Sequence, residues 1–231
     1  MKSLLKISLF LILSSDLIAS PSAIKPSKAI LESNVGEMEV EMKLLDNGLW
    51  KLTSLLDGGS IVRREESEIF ELIENKIKPL NYSFNQRILF RKYKASADFN
   101  WEKLQVSFVE NKDSGEVDLL PNVLGPSSAS LQLRLDFRNL KKNNIPQQIS
   151  YNVYWRGTVK TRTYDVNPIT ESVETPMGVY KAYRVTRKFD EGSERSQIFW
   201  LAPELDYSVI KIYDKNEREV EIKIKDFEEI G

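Results

Sequence analysis

The sequence runs to 231 residues, 41% hydrophobic and 29% charged, long enough to bury a sizeable core and suited to one large β domain in preference to two small ones. Its 33 Lys and Arg nearly cancel 34 Asp and Glu and form no basic stripe with interleaved aromatics, so nucleic acid is not expected as a partner. The absence of histidine and cysteine excludes disulfides, Ser-His-Asp and Cys-His catalysis, His-based zinc sites and histidine proton switches, which leaves any enzyme with carboxylate, lysine or tyrosine chemistry.

Residues 1–22 have the layout of a cleaved secretory signal peptide. Lys2 and Lys6 form a basic start, Ile7 to Leu13 is an uncharged apolar run, and Ser14, Ser15, Ala19, Ser20 and Ser22 supply small residues, with cleavage expected after Ala19 or Ser22. The apolar run is shorter than the roughly 20 residues of a spanning helix, and Asp16 interrupts the alternative reading as an uncleaved anchor. With no cysteine to acylate, the expected product is a periplasmic protein that is not a lipoprotein and has no transmembrane span after signal cleavage. Residues 23–34, which include Pro26, read as a flexible lead to a single β-meander domain over 35–231.

Gly36 to Leu44 alternates polar and apolar residues without a break, as a strand with one buried face does. Asp46-Asn47-Gly48 is a hairpin signal and Leu49 to Thr53 the returning strand. Asp57-Gly58-Gly59 turns the chain into Ser60 to Ile73, whose acidic tail leaves it ambiguous between strand and helix. Pro79 to Ala97 is β-rich, Leu104 to Phe108 alternates, and Asn111 to Gly115 reads as a loop. In Gly125 to Phe137 two periods compete, and length through Lys141 decides for a helix with Ser127 or Ser128 as N-cap. After a polar loop from Lys141 to Pro146, strands follow at Ile149–Trp155, Val159–Val166, Ile169–Glu174, Val179–Phe189, Ser196–Leu201, Tyr207–Tyr213 and Glu219–Phe227. Thr175-Pro176-Met177-Gly178 has the Pro and Gly positions of a type I turn and is taken as the fold-defining hairpin turn. Regular short turns argue for an antiparallel up-and-down barrel or a strongly curved sheet.

Ser172-Val173-Glu174-Thr175-Pro176-Met177-Gly178, Arg184-Val185-Thr186-Arg187 and Phe199-Trp200-Leu201-Ala202-Pro203, with Asp98-Phe99-Asn100-Trp101 and Leu131-Gln132-Leu133-Arg134, resemble a family of bacterial exported proteins, domain of unknown function 3108. The resemblance covers Val35 to Phe227. It implies a mainly β meander forming a half-barrel, with one helix packed in its concavity, similar in outline to periplasmic lipoprotein carriers. It implies no established activity. The sequence departs from the family pattern at Gly125, where an Asp usually precedes Pro-x-Ser, and at Val209, where a Pro usually follows the Trp strand.

Candidate sites are few. Glu171, Glu174 and Asp190 near the turn are the acids that a carboxylate-dependent glycan hydrolase would need, though their spacing singles out no catalytic pair. Trp50, Trp101, Trp155 and Trp200 suit a barrel core, a sugar-stacking platform or a lipid pocket. Arg134, Arg184 and Arg187 suit bidentate binding of a carboxylate or phosphate head group, or ion pairs with nearby acids. Asp57-Gly58-Gly59-Ser60 and Asp113-Ser114-Gly115-Glu116 lack the alternating oxygen ligands of a calcium loop, so no metal is expected, and no cofactor either. The leading expectation is a non-enzymatic binding or carrier protein for a lipid-like or amphipathic envelope ligand, with Arg134, Trp155 and Trp200 as its ligand-binding residues. The alternative is a scaffold pairing with another envelope protein through strand edges at Val35–Leu44 or Glu219–Phe227, and a glycan hydrolase ranks lowest.

Overall fold

A computed structural model describes residues 24–140, 145–216 and 218–230. The expected signal peptide and part of the loop after the helix lie outside them. Eight strands come first: β1 (Ser27–Ser33), β2 (Gly36–Leu44), β3 (Trp50–Gly58), β4 (Val62–Ile73), β5 (Lys76–Ile88), β6 (Arg91–Asn100), β7 (Gln105–Glu110) and β8 (Asp113–Asp118). The helix α1 (Ser128–Asn139) follows. The chain then forms β9 (Gln148–Trp155), β10 (Thr158–Val166), β11 (Glu171–Thr175), β12 (Gly178–Arg187), β13 (Ser196–Ala202), β14 (Ser208–Lys215) and β15 (Glu219–Glu229).

All strand pairs are antiparallel, in the order β8-β7-β6-β5-β4-β3-β2-β1-β15-β14-β13-β12-β10-β9, with β11 beside β12. The expected antiparallel meander curved around one helix is what the chain forms, and its sheet is not closed by strand pairing. Two expectations are corrected by the pairing. Ser27–Ser33 is not a lead but a strand held on both sides, by β15 and β2. The stretches expected as edges, β2 and β15, are therefore interior, and the sheet ends at β8 and β9.

Local sequence explains most of the rest. In β4, pairing with β3 on one side and β5 on the other overrides the helical leaning of its acidic residues. The period of two then puts Glu66, Glu68 and Phe70 in one buried row. Asn111 and Lys112 form only a tight turn, and Asp113 onward returns as β8.

Helix α1 fills the concavity. Leu131 and Leu135 pack with Trp50, Phe70, Ile77 and Val153, while Leu133 and Phe137 pack with Tyr164, Val185, Phe199 and Leu201. Nearly every side of this helix is buried, as befits one enclosed by a curved sheet. Beyond its N-terminus a cluster of Tyr82, Phe84, Phe99, Val106, Val123 and Tyr154 fills the remaining interior. Between β8 and β9 the seam is sealed without a continuous ladder. Leu124 donates to Asn152 O and accepts from Tyr154 N, both at 2.9 Å. The Phe108 ring lies so close over Gly115 and Gly157 that a side chain at either would collide with it. On β13, Phe199 and Leu201 face the helix, and Trp200 and Ala202 face the opposite side, where the β11–β12 hairpin covers them.

Candidate functional site

The turn joining β9 to β10 builds a small amphipathic cleft at one end of the barrel. Arg156 and Gly157 both have positive φ, at 49° and 65°, which reverses the chain in two residues and leaves the arginine in a conformation that side chains seldom adopt. Its guanidinium lies 4.9 Å from the Tyr93 ring centre and 5.3 Å from that of Trp155, and Arg162 approaches Trp155 from 5.8 Å. Tyr82, Phe84 and Ala95 complete the lining with Tyr154 and Glu110. Phe84 and Tyr93 meet edge to face at 5.7 Å. The Tyr93 hydroxyl donates to Glu110 Oε2 at 2.9 Å. Burial first, and the Glu110 contact second, push the phenol up to about 12, so it remains a neutral donor at ordinary pH. Aromatic faces, a cation and a carboxylate acceptor converge here around a volume of about 10 Å³, room for no more than one water, so a sugar ring or polar head group would lie over these groups and not within them.

A second polar cluster lies inside, at the start of α1. Ser127 was expected as a cap, yet neither it nor Ser128 makes a side-chain capping bond. The cap arrives from the sheet instead: Glu68 Oε2 accepts the backbone N–H of Ser127 and of Ser128, each at 3.1 Å. Glu66 accepts from the Ser127 hydroxyl at 2.7 Å and pairs with Arg64 at 2.6 Å. Glu68 is 0% exposed, and its Oε1 has no hydrogen-bond partner among the described residues. Desolvation raises its carboxyl to about 7 against the lowering effect of the Ser128 hydrogen bonds, and Glu66 adds to the rise. At Gly125 the space a side chain would need is filled by the Glu68 carboxyl group, since a Cβ there would come within 2.3 Å of it. The signal for this cluster was present in the sequence as acids at alternate positions, 66 and 68, in phase with Phe70.

The family model for a protein of unknown function, DUF3108, matches residues 50–223. The chain belongs to this family. Among solved structures, a β-barrel-like protein of domain of unknown function DUF1849 from Brucella abortus is similar to this DUF3108 chain. It shares 12% identity and a TM-score of 0.57, over 90% of this chain and 99% of its own. A comparison with curated proteins finds no match. Among the described residues no helix is long and apolar enough to cross a membrane, and no group of acids is arranged to hold a metal ion.

In this DUF3108 member the three expected ligand-binding residues do not come together. Trp155 lines the cleft. Trp200 lies under the β11–β12 hairpin, where its indole N–H donates to Glu171 and Lys211 stands 5.0 Å over the ring. Arg134 binds the turn after β13, donating to Asp206 O at 2.9 Å and Asp206 Oδ2 at 2.8 Å, while Arg138 holds Oδ1 of the same carboxylate. Burial lowers the Arg134 guanidinium, and Asp206 opposes that shift. Arg134→Ala is expected to lower stability by about 1–3 kcal/mol in urea unfolding, because it leaves Asp206 O and Oδ2 without this donor while Arg138 keeps Oδ1. A residue kept for ligand contact would show almost no such loss. Thr175 and Gly178 close the hairpin as expected, Thr175 Oγ1 donating to Gly178 O at 2.9 Å, with Pro176 exposed at its tip. Glu171 and Glu174, three apart on β11, point to opposite faces, and Asp190 sits in the exposed turn after β12, so the three acids do not form a pair.

Proposed function

We propose that this DUF3108 protein is a non-enzymatic binding protein of the cell envelope, exported to the periplasm by a signal peptide at residues 1–22. Its ligand is amphipathic and is held at the Tyr93–Trp155–Arg156 cleft. The observation that carries this reading is the guanidinium of Arg156 lying between two aromatic rings above an apolar floor. Because α1 occupies the concavity, the reading puts the ligand at the mouth of the barrel and not in its interior.

The test is native mass spectrometry of the protein purified from its own host, followed by organic extraction. A co-purifying species is expected on the wild type, reduced at least tenfold on Trp155→Ala and retained on Trp200→Phe. A clean apo mass for the wild type, or equal occupancy in Trp155→Ala, would overturn the proposal.

A further inference from the structure

The turns β1–β2, β3–β4 and β5–β6 lie side by side at the same end of the sheet, and each carries an exposed apolar residue, Val35, Ile61 and the pair Leu89-Phe90. Leu89 N donates to Ile61 O at 2.8 Å, and Val35 O packs directly against Gly58, so the three turns touch. Ile61 is 63% exposed, Leu89 56% and Phe90 98%. A two-residue hairpin turn normally uses Asn, Asp or Gly, which tolerate positive φ. Here the turn is Leu89-Phe90, with Leu89 at φ 52°. Neither turn chemistry nor burial accounts for these two residues.

The charges beside them are equally unusual. Strand register aligns Arg63 opposite Arg87 and Arg87 opposite Lys92, three cations in a cross-strand row that continues on the other side of Arg63 through the acids Asp57, Glu37 and Glu32. Like charges placed directly opposite destabilise a sheet. Only Arg63 has an acid, Asp57 at 3.4 Å, while Arg87 reaches no more than Gly59 O at 3.1 Å. Lys92 makes no ion pair among the described residues, and the neighbouring Arg91 is exposed. The opposite end also shows apolar tips, Leu44, Ile73 and Leu104, but there the exposed acids Asp46, Glu74 and Glu102 stand in the turns themselves, and the aligned cations are the single pair Lys43 and Lys51.

We infer that the β1–β6 end of the sheet docks on an anionic phospholipid bilayer, with Ile61, Leu89 and Phe90 entering the interface and Arg87 and Lys92 meeting phosphate. Apolar tips flanked on the β5–β6 side by Arg87 and Lys92, which have no acid partner among the described residues, match a surface that is apolar below and negative above. This inference goes beyond the ligand-binding reading and does not rest on it.

Co-sedimentation of the purified protein with vesicles tests it. Vesicles containing about a third phosphatidylglycerol should bind the protein at low salt, and pure phosphatidylcholine vesicles should bind it at least tenfold more weakly, as a phosphate-reading surface requires. Leu89→Ser with Phe90→Ser, and separately Arg87→Glu with Lys92→Glu, should each weaken anionic-vesicle binding at least tenfold while the thermal transition stays in place. Ile169→Ser, at an exposed apolar site on another part of the surface, should bind like the wild type. Failure of the wild type to bind anionic vesicles, unchanged binding by the tip variants, or loss of a dimer in place of vesicle binding would each overturn the inference.

Discussion

Truncating Phe137 to alanine is expected to remove about 3–5 kcal/mol of stability, the range for deleting a large ring from a core that cannot collapse around the gap. The ring is 1% exposed and meets those of Tyr183 at 5.6 Å and Tyr207 at 6.0 Å. Those partners come from β12 and from the turn after β13, so the cavity would open where helix, strand and turn converge. Urea unfolding followed by far-UV circular dichroism and by tryptophan fluorescence should show both midpoints falling together. Phe90→Ala gives the contrast, because a ring exposed to 98% should move the midpoint by no more than about 0.5 kcal/mol. Equal losses from the two substitutions would mean that α1 is not seated in the sheet as described.

The second large effect is a pH dependence carried by Glu68. Its folded carboxyl titrates at about 7, against 4.5 in the unfolded chain, because burial disfavours the anion. Between those values the folded state holds a proton that the unfolded state has lost, so stability falls as pH rises from about 4.5 to about 7 and is level above that. At about 1.4 kcal/mol per unit the total is about 3 kcal/mol. The charged and titratable groups facing Glu68 are Glu66, Arg64 and Tyr82, and the phenol of Tyr82, raised by burial, stays neutral throughout. Glu68→Gln keeps an oxygen to accept from Ser127 and Ser128 and removes the titration, so its stability should vary less across the window. An identical slope in wild type and Glu68→Gln, measured by urea unfolding from pH 4 to pH 8, would assign the dependence elsewhere.

What the sequence made legible was whatever depended on neighbours a few residues away. The alternation of Gly36–Leu44, the Thr175–Gly178 turn and the helix at Ser128 all carry their signals locally, and each formed as expected. What escaped depended on distant partners. Ser27–Ser33 has weak alternation of its own and becomes a strand because β15 and β2 flank it. The helix cap escaped because its acceptor, Glu68, lies about 60 residues earlier on another strand. The Leu89-Phe90 turn has none of the Gly, Pro or Asn that marks a reversal, so Pro79 to Ala97 looked continuous. Arg134, flanked by leucines, looked available for a ligand, but its partner is the turn at Asp206, itself held in the left-handed region at φ 53°. For the cleft, Trp155 was visible as an aromatic of the strand Ile149–Trp155, while Tyr93 beside it arrives from β6.

The place of β1 between β2 and β15 sets the order in which the molecule can be assembled. The arm β2–β8 is made of successive hairpins, and so is most of β9–β15; both can begin to form from local contacts. Joining them requires β15 to find β1, with Ser27 and Glu229 paired across most of the chain, a closure whose entropic cost is about 5 kcal/mol. Until that step each arm keeps an unpaired edge able to recruit a strand from another chain. Of the described strands, β15 thus decides when these two inner edges are paired, and a carrier that keeps the chain extended until β15 has emerged would protect them through that interval.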